Sequence, residues 1–187
     1  NSGKSTLMIN LFKKGYYKKI WKPANIFLFS PTAMLDDKIK LIPSENFFDV
    51  FDSAIIDEIF DQQVEILNEK GKMKMPQVLI ILDDMLGTKA LSINSVLTKY
   101  IHKCRHYNVS IWISTQKYSG IPRTIRINSD VSTIFRPYNM SEMDSILDEH
   151  SSKSTRKRME AILIEIFNTP YEFFHIDYSC KDIKKRY

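Results

Sequence analysis

Gln77–Asp84 reads QVLIILDD, and this stretch decides the fold. A strand with one wet face alternates apolar and polar residues, whereas a run apolar on both faces belongs in the middle of a parallel sheet covered by helices. Val78–Leu82 is such a run, and it stops on two carboxylates, Asp83 and Asp84. Open α/β sheets gather ligands at the carboxyl ends of their strands, so the paired acids mark a candidate site as well as a strand end. An apolar strand ending this way fits a Walker B pattern. Asp83 would support Mg²⁺, usually through water, and Asp84 would orient and deprotonate an attacking water. The same pair can instead cap the following helix, so the other motifs have to decide.

Upstream, Asn1-Ser2-Gly3-Lys4-Ser5-Thr6 matches the end of a phosphate-binding loop, G-x-x-x-x-G-K-[ST]. In such a loop Gly3 lets the backbone approach the phosphates, Lys4 neutralises their charge and Ser5 ligates the metal. Thr6 adds a hydroxyl and an N–H near the α- and β-phosphates, and Asn1 and Ser2 complete the nucleotide-binding set. The first Gly of the motif and the strand before it are expected to precede Asn1 in a longer natural protein. A lone G-K-S also occurs in ordinary loops, which is why the order of the remaining motifs matters.

Between and beyond these motifs the periodicity alternates between strand and helix. Helical spacing covers about 5–14, about 55–67 with Gly71 as its stop, about 93–104, and then about 141–149 and 154–168. Short apolar or alternating runs at Asn25–Ser30, Gln77–Leu82, Val109–Thr115, Val131–Arg136 and Tyr171–Asp177 read as strands, and residues 31–53 look loop-rich. Strands alternating with helices give an α/β chain with a mainly parallel sheet.

The strand VSIWIST ends at Gln116, whose neutral amide can meet both a γ-phosphate and its attacking water; a turn or cap amide is the alternative. Phosphoryl transfer also needs positive charge opposite the developing negative charge, often from an arginine finger. Arg105 ends the preceding helix, and Arg123 and Arg126 lie past the Gln strand. Each can serve as a finger for a neighbouring subunit, or as a surface or DNA-phosphate contact. His102 and His106 share a helix face at i, i+4 but have no third ligand nearby, so a solvated helix end is the simpler reading. Trp21 and Trp112 read as packing residues.

At 187 residues, with 43% hydrophobic and 26% charged residues, the chain reads as one globular domain over 1–187. No apolar run approaches the roughly 20 residues of a membrane span, and no signal peptide appears, so an intracellular protein is expected. Cys104 and Cys180 form no C-x-x-C pair. The net charge of +5 is divided unevenly: +6 over 1–35, −7 over 36–84, and +3 over each of 85–150 and 151–187. Basic blocks apart from an acidic one permit phosphate neutralisation on nucleic acid, or simply solvated faces.

Taken in order, NSGKST, VLIILDDM, HKCRHYNVSIWISTQ and GIPRTIRINSD resemble the FtsK–HerA superfamily of DNA-translocating ATPases, and among them the genome-packaging ATPases of poxviruses, giant viruses and virophages. The likeness covers Asn1 to about Arg136. It implies an additional-strand P-loop NTPase whose Gln strand lies between the P-loop strand and the Asp-pair strand. ATP and Mg²⁺ would be held by Lys4, Ser5 and Asp83, with Asp84 as the catalytic carboxylate and Gln116 as the sensor. It further implies a homo-oligomeric ring, commonly a hexamer, that threads double-stranded DNA into a capsid and meets capsid or portal-vertex proteins, in the virus factory of the host cytoplasm or on the virion. Two departures stand out: many members have Glu at the place of Asp84, and often Arg at the place of Lys117. The competing readings are a P-loop small-molecule or nucleotide kinase and a nucleotide-binding assembly factor without turnover.

Overall fold

The structure, a computed structural model, describes residues 3–13, 19–31, 42–85, 91–92, 95–152 and 155–182. It forms two compact units, one of Ser5–Thr115 and one of Asn1–Lys4 with Gln116–Tyr187.

The first unit is built on a four-stranded sheet of β1 (Ile26–Phe29), β2 (Phe47–Phe48), β3 (Val78–Asp83) and β4 (Val109–Ser114), in the order β2-β1-β3-β4 with every pair parallel. β3 is central, as its two-sided apolar run requires. Leu79, Ile80, Ile81 and Leu82 are at most 1% exposed, and burying each contributes about 1.5–3 kcal/mol. Helix α1 (Lys4–Lys13) sets Met8 among Trp21, Ile26, Leu28, Ile42, Leu79 and Ile81, with Trp112 of β4 packed against the group.

Helix α2 (Ser53–Lys70) starts on Asp52, whose side chain accepts from the Ala54 N–H, and ends on Gly71 at φ 76°. A positive φ is the conformation that glycine adopts without a steric cost, so the expected stop falls where the sequence puts it. Within its apolar stripe Gln63 is 2% exposed, and its amide donates to the carbonyls of Pro76 (2.9 Å) and Tyr107 (2.6 Å). One side chain thereby satisfies two carbonyls at the entries to β3 and β4.

The helix expected over 93–104 is shorter in the described residues: α3 is Val96–Tyr100, capped by Ser95, and turns continue to Asn108. The chain tightens because Lys103 N donates to Tyr100 O and His106 N to Lys103 O, three residues back, and Cys104 O is taken by Val109 N. His102 and His106 therefore lie in turns, not on one helix face.

In the second unit α4 (Arg123–Arg126), α5 (Met140–His150) and α6 (Arg156–Asn168) accompany β5 (Val131–Phe135) and β6 (Phe173–Asp177). These two strands pair with each other, antiparallel, outside the parallel sheet. Their inward residues Ile134, Phe174 and Ile176 form a core with Met143, Ile146, Leu147, Leu163 and Phe167 from α5 and α6.

Candidate active site

Asp83 is the last residue of β3 and stands in register with Ser114, the last of β4. Asp84 continues the ladder by one bond, donating its N–H to Ser114 O at 2.9 Å, and then turns the chain with φ 54°. Left-handed backbone is uncommon outside glycine, with Asp and Asn among the exceptions. The turn leaves the Asp84 side chain exposed while Asp83 is half-buried and Met85 is 1% exposed. Consecutive carboxylates thus occupy two environments at one strand end. β4, the strand that runs on to Gln116, lies directly beside β3, as the resemblance implies. Gln116 follows two residues after Ser114 and is exposed.

Of the phosphate-loop residues, Asn1 and Ser2 lie outside the described residues. Gly3 has φ 92°, and a Cβ there would meet Phe135 at 3.4 Å and Tyr171 at 3.5 Å. α1 begins at Lys4, carries no acid in its first turn and exposes Ser5 and Thr6. Its first N–H groups have no acceptor within the helix, and the helix dipole favours an anion there. The donor set fits ATP with Mg²⁺: hydroxyl and carboxylate oxygens at Ser5 and Asp83 suit a hard cation that keeps several waters, and Lys4 with the helix start suits phosphate.

The three candidate fingers have different settings. Arg105 is exposed in the turns that lead into β4. Those turns lie at the opposite end of the parallel sheet from Asp83, since Asn108 O accepts from the N–H of Val78, the first residue of β3. A six-residue strand separates the two ends by about 20 Å, so Arg105 does not serve the strand-end acids of its own chain. Arg126 is engaged inside its unit. Its guanidinium pairs with Glu149 (2.6 Å), donates to the Ile121 carbonyl and lies 4.9 Å over the Tyr118 ring. Arg123, at the start of α4, is exposed.

A group that the sequence reading did not single out holds the stretch between Gln116 and Arg126. Glu142 is 6% exposed and accepts from both Oγ (2.6 Å) and N–H (3.1 Å) of Ser119. Burial pushes its carboxyl up, but the Ser119 bonds, the Tyr118 N–H and the Lys117 charge outweigh that and hold it below the usual range. Tyr118 OH pairs with His150 Nε2 at 2.9 Å, and burial pushes that imidazole down. The available signal was Asn139-x-x-Glu142, a helix start with an acid three residues in. Asn139 does cap α5 by accepting from Glu142 N–H at 3.0 Å, while the Glu142 carboxylate goes to Ser119.

Comparison with known proteins adds family and fold. The family model described as Poxvirus A32 protein matches residues 1–172. Among solved structures, B204, the DNA-packaging ATPase from Sulfolobus Turreted Icosahedral Virus, aligns with a TM-score of 0.61 at 13% identity over 95% of this chain and 88% of that one. The genome packaging NTPase B204 from Sulfolobus turreted icosahedral virus 2, in complex with AMPPCP, aligns at 0.59 and 14% identity over 96% and 88%. EssC (ATPases 2 and 3) from Geobacillus thermodenitrificans aligns at 0.55 and 19% identity over 78% of this chain, which spans 32% of that one. At such identities these likenesses are of fold. No curated protein matches the chain.

Proposed function

The chain belongs to the Poxvirus A32 protein family, and from that premise we propose that it hydrolyses ATP to drive double-stranded viral DNA into a capsid. The observation that carries this is the β3–β4 strand end, where a half-buried Asp83 and an exposed, left-handed Asp84 stand beside the strand that leads to Gln116. A carboxylate that only caps a helix has no need of an adjoining strand that runs on to an amide, whereas water attack on a γ-phosphate uses a carboxylate and an amide together.

In this reading Lys4 and the first N–H groups of α1 hold the phosphates, and Ser5 and Asp83 hold Mg²⁺ with its waters. The ion, when bound, draws charge off the β- and γ-oxygens. Asp84 accepts the proton of the attacking water as its oxygen bonds to the γ-phosphorus and the bridging bond to ADP breaks. Gln116 orients that water without adding charge.

Of the two arginines past the Gln strand, Arg126 is already committed to Glu149 and Arg123 is exposed, so Arg123 of an adjacent copy supplies positive charge opposite the leaving oxygens. A finger supplied in trans needs an adjacent copy, so assembly raises turnover, and coupling of hydrolysis to translocation makes DNA raise it as well. The protein works in the virus factory and engages capsid proteins at the packaging vertex. No helix of the described residues is long and apolar enough to cross a membrane.

DNA-stimulated phosphate release tests the reading. Lys4→Ala and Asp84→Asn should each lower it at least 100-fold with the melting transition retained. Full activity in both variants, or phosphate passed to a nucleoside instead of water, overturns it.

A further inference from the structure

The segment that joins Gln116 to Arg126 is fastened to one face of α5 at three points. Ser119 is held by Glu142, Tyr118 by His150, and Arg126 by Glu149. Glu142, Glu149 and His150 are spaced by seven and eight residues, which stacks them two turns apart on the same helical face. The first of these points is different in kind. It lies three residues from Gln116, it is made by a carboxylate almost wholly removed from solvent, and it holds a single residue by both its backbone N–H and its hydroxyl. A two-point bond fixes orientation as well as position, so the turn Tyr118–Gly120 that follows Gln116 cannot rotate about the contact.

We propose that Glu142 is a positioning residue for ATP hydrolysis: by clamping Ser119 it sets where the Gln116 amide stands, without itself touching nucleotide or water. The inference rests on the reading of Gln116 as the amide that orients the attacking water. Its chemistry is geometric. An amide that orients water contributes only when its oxygen and nitrogen are within a few tenths of an ångström of the productive place, and a shift of 1 Å costs on the order of 100-fold. Glu142 and Ser119 are distinct from Lys4 and Ser5, the residues read as holding phosphate, so loss of the clamp should spare nucleotide affinity.

The test compares Glu142→Ala, Glu142→Gln and Ser119→Ala by kcat and KM for ATP, with kcat normalised to the nucleotide-binding sites counted by titration. Glu142→Ala should lower kcat at least tenfold while KM stays within twofold. Glu142→Gln should recover most of that loss, because its amide oxygen accepts from the Ser119 N–H and its NH₂ donates to Oγ. Ser119→Ala keeps the backbone bond and should lose only about threefold, with no further loss when combined with Glu142→Ala. Normalised kcat unchanged in Glu142→Ala, or a fall that Glu142→Gln does not reverse, overturns the inference. Lys4→Ala is run beside them. If it is dead while Glu142→Ala turns over normally, the clamp fails and the ATPase reading stands; if it turns over normally, the ATPase reading itself fails.

Discussion

Asp84 donates its backbone N–H to Ser114 O at 2.9 Å while its own φ is 54°, so the residue closes the β3–β4 ladder and turns away from it in one step. The bond uses the main chain, which leaves the carboxylate's chemistry separable from the fold. Asp84→Asn keeps a side chain that tolerates left-handed backbone, so its stability should lie within about 0.5 kcal/mol of the parent. Removing a general base should still lower ATP turnover by about 10²–10⁴. Asp84→Ala loses the same base and also places a Cβ residue without that tolerance at φ 54°, at a cost of about 1–2 kcal/mol. Thermal melting beside phosphate release separates the two, and equal melting of Asn and Ala variants would count against a strained turn.

Gly3 offers a test of backbone geometry at the phosphate loop. At φ 92° an alanine is strained whatever space is available, while its Cβ would meet Phe135 only at ordinary van der Waals distance, 3.4 Å. Gly3→Ala should weaken nucleotide binding about tenfold, the equivalent of a strain near 1.4 kcal/mol. If the dihedral is the cause, Phe135→Ala in the same chain will not restore affinity, whereas a steric cause would be relieved. Fluorescence titration with a labelled nucleotide distinguishes these outcomes.

How far the sequence carried the fold is clearest at β3. Two-sided burial leaves an apolar run unbroken, and the acids that end it need no tertiary information to be seen. Gln63 was legible as a member of the α2 stripe, but its carbonyl partners at Pro76 and Tyr107 were not, because they are 13 and 44 positions away. The early end of α3 depends on Cys104 O turning to Val109, a competition that periodicity does not register. β5 and β6 read as strands, yet their antiparallel pairing joins residues such as Thr133 and His175, 42 positions apart. At the candidate site, the acids, the loop fragment and Gln116 can be named from residue type and order alone. What could not be read was the difference between Arg123 and Arg126, since Glu149, which decides it, lies 23 positions beyond Arg126.

That difference yields opposite expectations for two neighbouring arginines. Arg126 and Glu149 have side chains only 16% and 18% exposed, so Arg126→Ala leaves a carboxylate largely buried without its partner. The cost should be on the order of 2 kcal/mol of stability, and lysine should not rescue it, because Nε and Nη2 both reach the same oxygen. Arg123→Ala should change stability by no more than about 0.5 kcal/mol and should instead lower turnover of the assembled protein. Mixing Arg123→Ala subunits with Lys4→Ala subunits should restore part of the activity, since each supplies what the other lacks. No recovery on mixing, with both variants shown to co-assemble, would remove Arg123 as a finger in trans.

Acid should loosen the α5 anchorage in two steps of the same sign. Burial holds the His150 imidazole below its ordinary 6.5, with the nearby Glu149 charge opposing and Arg126 assisting. As pH falls past 6.5 the unfolded chain therefore takes up a proton that the folded one refuses, so stability present above that value is lost toward the lower folded value. Glu142 follows below its ordinary 4.5. Although burial raises it, the Ser119 and Tyr118 donors and Lys117 lower it further, and the folded carboxylate keeps its charge after the unfolded one has been protonated. Each group removes at most about 1.4 kcal/mol per pH unit within its own window. Melting temperature measured from pH 8 to pH 4 should stay level to about pH 6.5 and then fall. His150→Gln should erase the upper step and leave the lower one, and Glu142→Gln should do the reverse. A parent protein whose melting temperature is flat between pH 7 and pH 5 would show that His150 is not held neutral by its burial beside Tyr118.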